Sequence, residues 1–137
     1  MSSVVLDSSA LLAFIHGEPG GDVVAGFVGD AIMSSVNHAE VVTKLVERTG
    51  SLDAARTALG MATVDVIDFD TTQAEQTGAL VTHTRSRGLS LGDRACLTLA
   101  AREAAPAVTA DRIWATLKLD VEVRLITTES EGRSNRD

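Results

Sequence analysis

The chain has 137 residues, the size of one domain, and such a domain buries roughly two-thirds of its unfolded surface without needing staples. Hydrophobic residues make up 45% and aromatic residues 3%, so the core is mostly Val, Leu, Ile and Ala, which argues against an aromatic stacking platform for single-stranded nucleic acid. Acids outnumber bases 19 to 12, a formal net charge of −7; that speaks against a general affinity for nucleic acid, but not against a nuclease in which cations reverse the sign of an acidic cluster.

Taken in chain order, strands and helices alternate. Val4 to Leu6 reads as a short buried strand, Ser9 to Ile15 as a helix and "GEPGG" at 17–21 as a turn. A short helix is predicted over Asp22 to Val28, a strand over Ala31 to Ser34, and a helix over Asn37 to Arg48 with Val41, Val42, Leu45 and Val46 on one side. "TGS" breaks that helix, Leu52 to Met61 forms another, and "VDVIDF" at 64–69 is a strand. Asp70 to Gln73 resembles a capping box that opens a helix to about Arg87. "RGLSLGD" is read as a loop, Arg94 to Ala104 as a helix stopped by Pro106, "AVT" at 107–109 as a strand, Arg112 to Leu117 as a short helix and Val121 to Ile126 as the last strand. Residues 1–128 thus read as one domain, and the polar tail 129–137 as disordered. Alternation of this kind implies a mainly parallel central sheet covered on both faces, with ligands bound beyond the carboxyl ends of its strands.

Cys96 is the single cysteine, which excludes an internal disulfide and a zinc site of several cysteines. The N-terminus has no basic n-region and no run approaches the length of a membrane span, so a soluble cytoplasmic protein with no membrane partner is expected. His16, His38 and His83 are scattered, without the pairing that zinc or metal-free acid–base ribonuclease chemistry needs. Neither a P-loop nor a dinucleotide fingerprint is present.

The strand ends carry carboxylates. Asp7 follows the first strand, Asp111 lies two residues beyond the late one, and Asp93 heads a helix whose Cys96, Leu97, Ala100 and Ala104 form an apolar stripe. Glu40 lies in the first turn of its helix. Each aspartate, taken alone, reads first as a helix cap, and Glu40 as an i,i+4 partner of Lys44. Taken together they read as a site, and composition and spacing leave the two readings open. Asp65, Asp68 and Asp70 suit a strand with one solvated face and a cap.

Four segments, "VLDSSALLAFIHGEPG", "SSVNHAEVVTKL", "GLSLGDRACLTLA" and "VTADRIWATL", stand in the order and at the intervals of the PIN domain family. More narrowly, the chain resembles the VapC branch, the toxin half of bacterial toxin–antitoxin pairs. The resemblance runs from about Val4 to Ile126 and implies a three-layer α/β/α fold. It implies a Mg2+- or Mn2+-dependent endoribonuclease acting on an RNA substrate, restrained by a cognate antitoxin that occludes the site. The family's acidic quartet falls on Asp7, Glu40, Asp93 and Asp111, as catalytic metal ligands, with no departure at those positions. Its accompanying hydroxyls fall on Ser8 and Thr109. A homodimer is implied as well, with the valine-rich helix around Val41 to Val46 as either interface or core.

The chemistry suits the residues. Two cations about 4 Å apart can clamp an in-line phosphodiester displacement, and Mg2+ takes carboxylate oxygens while keeping several waters. Without cations, two carboxylates at 4 Å repel by about 4 kcal/mol at an effective dielectric of 20. Arg85, Arg87 and Arg94 flank the loop before Asp93, and Arg112 follows Asp111; these are candidate RNA contacts. From another class, the alternative is a non-catalytic α/β interaction or signalling module such as a receiver. A receiver would have an acidic pair after its first strand and a lysine after a late one, whereas here Asp7 stands alone and Lys44 and Lys118 lie elsewhere.

Overall fold

The structure, a computed structural model, describes residues 4–127; the tail at 129–137 lies outside the described residues. Five short strands form one sheet: β1 (Val4–Leu6), β2 (Ala31–Ser34), β3 (Asp65–Ile67), β4 (Ala107–Thr109) and β5 (Val123–Leu125). Every pairing is parallel, and the spatial order is β3-β2-β1-β4-β5. β1, β2 and β4 are buried along their whole length, as central strands of a parallel sheet covered on both faces must be.

Alternation along the strands divides the core in two. Val4, Leu6, Ala31, Met33 and Val108 face one side, where they meet helices α1 (Ser8–His16), α2 (Gly21–Ala25), α3 (Ser35–Thr49) and α4 (Leu52–Leu59). Val5, Ile32 and Ala107 face the other, against Cys96, Leu97, Leu99 and Ala100 and the buried Trp114. That second layer comes from α5 (Thr71–Ala79), α6 (Val81–Thr84) and α7 (Leu91–Glu103); α5 and α7 are tied by a buried Thr77–Thr98 hydroxyl pair at 2.8 Å. Large side chains such as Leu6, Met33 and Leu99 are fully buried, each contributing about 1.5–3 kcal/mol of transfer free energy. Within α3, Val41 and Leu45 are core. The fold is therefore the expected three-layer α/β/α arrangement, and its sheet is wholly parallel.

Differences from the sequence expectation fall at element ends. α7 begins at Leu91, because Ser90 caps it and Asp93 completes a capping box with Ser90. Asp70 caps α5 by accepting from the Gln73 amide at 2.8 Å, but the Gln73 side chain turns to the Asp68 carbonyl instead, so that box is only half made. The helix expected to run to Arg87 stops at Ala79 and continues as α6 and a 3-10 turn, Arg85–Arg87. Arg112–Thr116 is likewise a 3-10 turn, and β5 is shorter than its apolar run. β3 is an edge strand with Asp65 and Asp68 exposed, and Asp70 pairs with Arg102 at 3.3 Å, so that acidic group is the solvated edge expected of it. Among the described residues, no helix is long and apolar enough to cross a membrane.

Candidate active site

The strand order reverses direction beside β1: the chain steps to β2 and β3 on one side, then returns to β4 on the other. A crevice opens at such a switch point, beyond the carboxyl ends of the two strands. Asp7 follows β1 and Thr109 ends β4, so register alone brings them together, with Leu6 opposite Val108 and the Asp7 amide donating to the Val108 carbonyl at 3.1 Å.

Asp7 is 4% exposed. Its Oδ1 caps α1 by accepting from the Ala10 amide at 2.9 Å and also accepts from the Ser9 hydroxyl at 2.8 Å. Its Oδ2 accepts from the Thr109 hydroxyl at 2.5 Å. Burial pushes its pKa from 3.8 up to about 6; the bonds from Thr109, Ala10 and Ser9 oppose that rise, and the negative charge of Asp93 adds to it. Thr109 in turn accepts from the Asp111 amide at 3.0 Å, and Ser9 from the Ala110 amide at 3.0 Å. The chain after β4 is thereby locked to the start of α1.

Asp93 lies in the first turn of α7, half-buried, with Oδ2 accepting from the Ser90 amide at 3.0 Å. Burial raises its pKa against the Ser90 bonds, and Asp111 and Glu40 raise it further. Glu40, half-buried on α3, accepts from the buried Asn37 side-chain amide at 3.0 Å. Its expected partner Lys44 lies near Glu47 instead, at 4.0 Å. Asp111 is exposed, and its Oδ1 accepts from the Ile113 amide at 3.0 Å. Capping and membership of a cluster thus coexist in Asp7 and Asp111, because a carboxylate has more acceptor positions than one cap uses.

The four carboxylates form one electrostatic group. Asp93 feels Asp111 and Glu40, and Asp7 feels Asp93. Beneath them the buried Cys96 thiol is pushed well up, first by burial and then by Asp7, Asp93 and Glu40. Among the described residues, no three acidic, histidine or cysteine side chains close around a single point; each carboxylate accepts a hydrogen bond from its own amide or hydroxyl donor. Their chemistry nevertheless fits Mg2+ or Mn2+: all are hard oxygens, and Mg2+ is held by as few as one or two carboxylates while water fills the remaining positions.

The other expected residues are distributed around this group. Of the two serines that follow Asp7, it is Ser9 that bonds its carboxylate, with Ser8 at the first helical position of α1. Ser9, Asn37 and Ser90 carry contacts to the acidic residues that sequence spacing did not single out; of these, Ser90-x-x-Asp93 is a capping pattern visible in the sequence. Arg85 and Arg87 are exposed on the 3-10 turn that precedes α7. Arg94 turns into the α5–α7 interface, where its Nη1 donates to the Thr77 carbonyl at 2.8 Å. Arg112 is half-buried beside Asp111.

A family model described as the PIN domain matches residues 4–118. No curated protein sequence matches the chain. Solved structures with the same fold include DNA-bound VapBC from Salmonella typhimurium, 15% identical with a TM-score of 0.72, covering 92% of this chain and 99% of that one. A toxin–antitoxin complex from Klebsiella pneumoniae is 19% identical, TM-score 0.72, covering 90% and 98%. The Mycobacterium tuberculosis toxin VapC20, which cleaves the sarcin–ricin loop, is 20% identical, TM-score 0.69, covering 83% and 95%.

Proposed function

Because the chain belongs to the PIN domain family, we propose that it is a Mg2+- or Mn2+-dependent endoribonuclease, the toxin of a toxin–antitoxin pair. The observation that carries this reading is that Asp93 feels the charges of Asp111 and Glu40 and acts in turn on the buried Asp7, four acids distant in sequence, at the switch point of a parallel sheet. The family and the likeness to VapC20 and to the toxin–antitoxin complexes support it.

Divalent cations bound here supply an activated water and neutralise charge on the attacked and leaving oxygens. Asp7 and Asp93 are the primary ligands, since both start from buried elements and are rigidly held. Glu40 and Asp111 complete the set, directly or through water. Thr109 and Ser9 hold Asp7 in place, with Ser8 beside them as a further hydroxyl for phosphate. Asp7 must give up its proton before it can serve as a ligand, so cation binding and proton release are linked.

The substrate is RNA, its phosphates approaching over Arg85 and Arg87, with Arg112 beside Asp111 and Arg94 supporting α7 from behind. Replacing both Arg85 and Arg87 by Ala is expected to weaken RNA binding and to flatten its dependence on salt by about one to two phosphate contacts; an unchanged slope excludes that patch. The partner is an antitoxin that covers the acidic crevice with a basic side chain, and two toxin copies pair. The reading is tested by incubating a mixed RNA pool with the protein in Mg2+, Mn2+ or EDTA. Fragments in either metal and none in EDTA are expected, whereas cutting that persists in EDTA removes the metal from the account.

A further inference from the structure

We propose that Asn37 and Gly92 are positioning residues that together seat the Glu40 carboxylate on the first turn of α7, beside Asp93. The inference rests on the reading of Glu40 as part of the metal-binding group, and it assigns how a long side chain on a different helix is aimed there. Glutamate has several rotatable bonds and is costly to order. Two neighbours supply that order.

The first is Asn37, one helical turn before Glu40 and 1% exposed. Its Nδ2 donates at 3.0 Å to Glu40 Oε1 and at 3.0 Å to the Gly92 carbonyl. Both partners are pure acceptors, so the amide nitrogen must face them. Its Oδ1 is buried with no hydrogen-bond partner, a costly arrangement. The residue is therefore oriented by what its nitrogen holds, and one side chain joins α3, α7 and Glu40.

The second is Gly92 itself. A Cβ built there would lie 2.2 Å from Glu40 Oε2, 2.5 Å from its Cδ and 2.6 Å from its Oε1. The carboxylate occupies the space a side chain would fill. Gly92 is not among the glycines with positive φ, so its backbone would accept any residue, and in a helix alanine is favoured over glycine. The contact with Glu40 is what calls for glycine. As a device for stability the seat makes little sense, since it draws one carboxylate towards another. As a device for holding a cation it does.

The test uses the full chain, with Mn2+ alone as the probe. Calorimetry gives the Mn2+ affinity, and melting in EDTA gives the stability, for Gly92→Ala, Asn37→Ala, Glu40→Gln and the double variant G92A/E40Q. Gly92→Ala is expected to weaken Mn2+ binding about 10- to 100-fold while its melting temperature in EDTA stays level or rises. Asn37→Ala is expected to lose affinity similarly; should it fail to fold, Gly92→Ala decides. In the Glu40→Gln background, Gly92→Ala is expected to cost nothing further. Gly92→Ala at wild-type affinity, alongside a weakened Glu40→Gln, overturns the seat and leaves the role of Glu40 standing. A full additional loss in the double variant also overturns it, since Gly92 would then act without Glu40. Glu40→Gln at wild-type affinity overturns the role of Glu40, and the seat with it.

Discussion

Replacing Asp7 by asparagine is expected to stabilise the metal-free protein at neutral pH by up to about 3 kcal/mol, although the residue lies at the centre of the proposed site. The burial that raises the Asp7 pKa from 3.8 to about 6 makes its ionised form expensive in the folded state. Between those two values the folded protein binds a proton that the unfolded chain has released, so stability falls as pH rises through that window. Above about 6 the cost is fully present. Asparagine carries no charge and is as good a helix cap as aspartate, so the Ala10 bond survives while the cost disappears. Denaturant titrations of both proteins in EDTA at pH 7.5 measure the difference. A variant clearly less stable than wild type would show that the Asp7 charge supports the fold, contrary to the reading of Asp7 as a ligand held at a cost.

Manganese is expected to act in the opposite direction. At a hundredfold excess over its dissociation constant, a ligand specific to the folded state adds about 2.7 kcal/mol, and a domain of this size gains roughly 4 °C per kcal/mol, so the melting temperature should rise by about 10 °C at pH 7.5. At pH 5 about half of that shift should vanish, because Asp7, with its pKa near 6, then carries a proton that competes with the cation and weakens its apparent affinity about tenfold. Metal-free stability thus declines with pH over the acid range, and the metal's contribution grows over the same range. Melting curves in EDTA and Mn2+ at both pH values check the pair. Equal shifts at pH 5 and 7.5, or none at either, contradict a metal site built on Asp7.

The two kinds of information in the sequence differ in reach. β1, β2 and β4 were legible to the residue, because short apolar runs between helical patterns have few alternatives in a parallel sheet. The break of α5 at Ala79 differs from the expected run to Arg87, although Gly78, a poor helix former, stands just before it. α7 starts three residues before the expected Arg94, at the point that Ser90-x-x-Asp93 announces. The carboxylates themselves stand at strand ends and helix starts, which sequence order makes visible. Their supports do not. Thr109 and Ser9 meet Asp7 and Ala110 across about a hundred positions, and Asn37 reaches Gly92 across 55; such contacts exist only once the sheet order is set. The choice between Ser8 and Ser9 depends on which hydroxyl α1 turns towards β4, a rotation that adjacency in sequence cannot express.

The central claim is that one carboxylate group performs metal-dependent RNA hydrolysis, and Asp93 links that group, feeling both Asp111 and Glu40. The most direct measurement compares wild type and Asp93→Asn on the same mixed RNA pool in Mg2+, Mn2+ and EDTA, using protein checked free of copurified partner. The account predicts cleavage by wild type in metal only, reduced at least about a hundredfold in the variant, a barrier change of roughly 3 kcal/mol. Asp93→Asn cutting at the wild-type rate would contradict it. Metal bound by both proteins with RNA left intact would instead favour a PIN domain that only engages a partner.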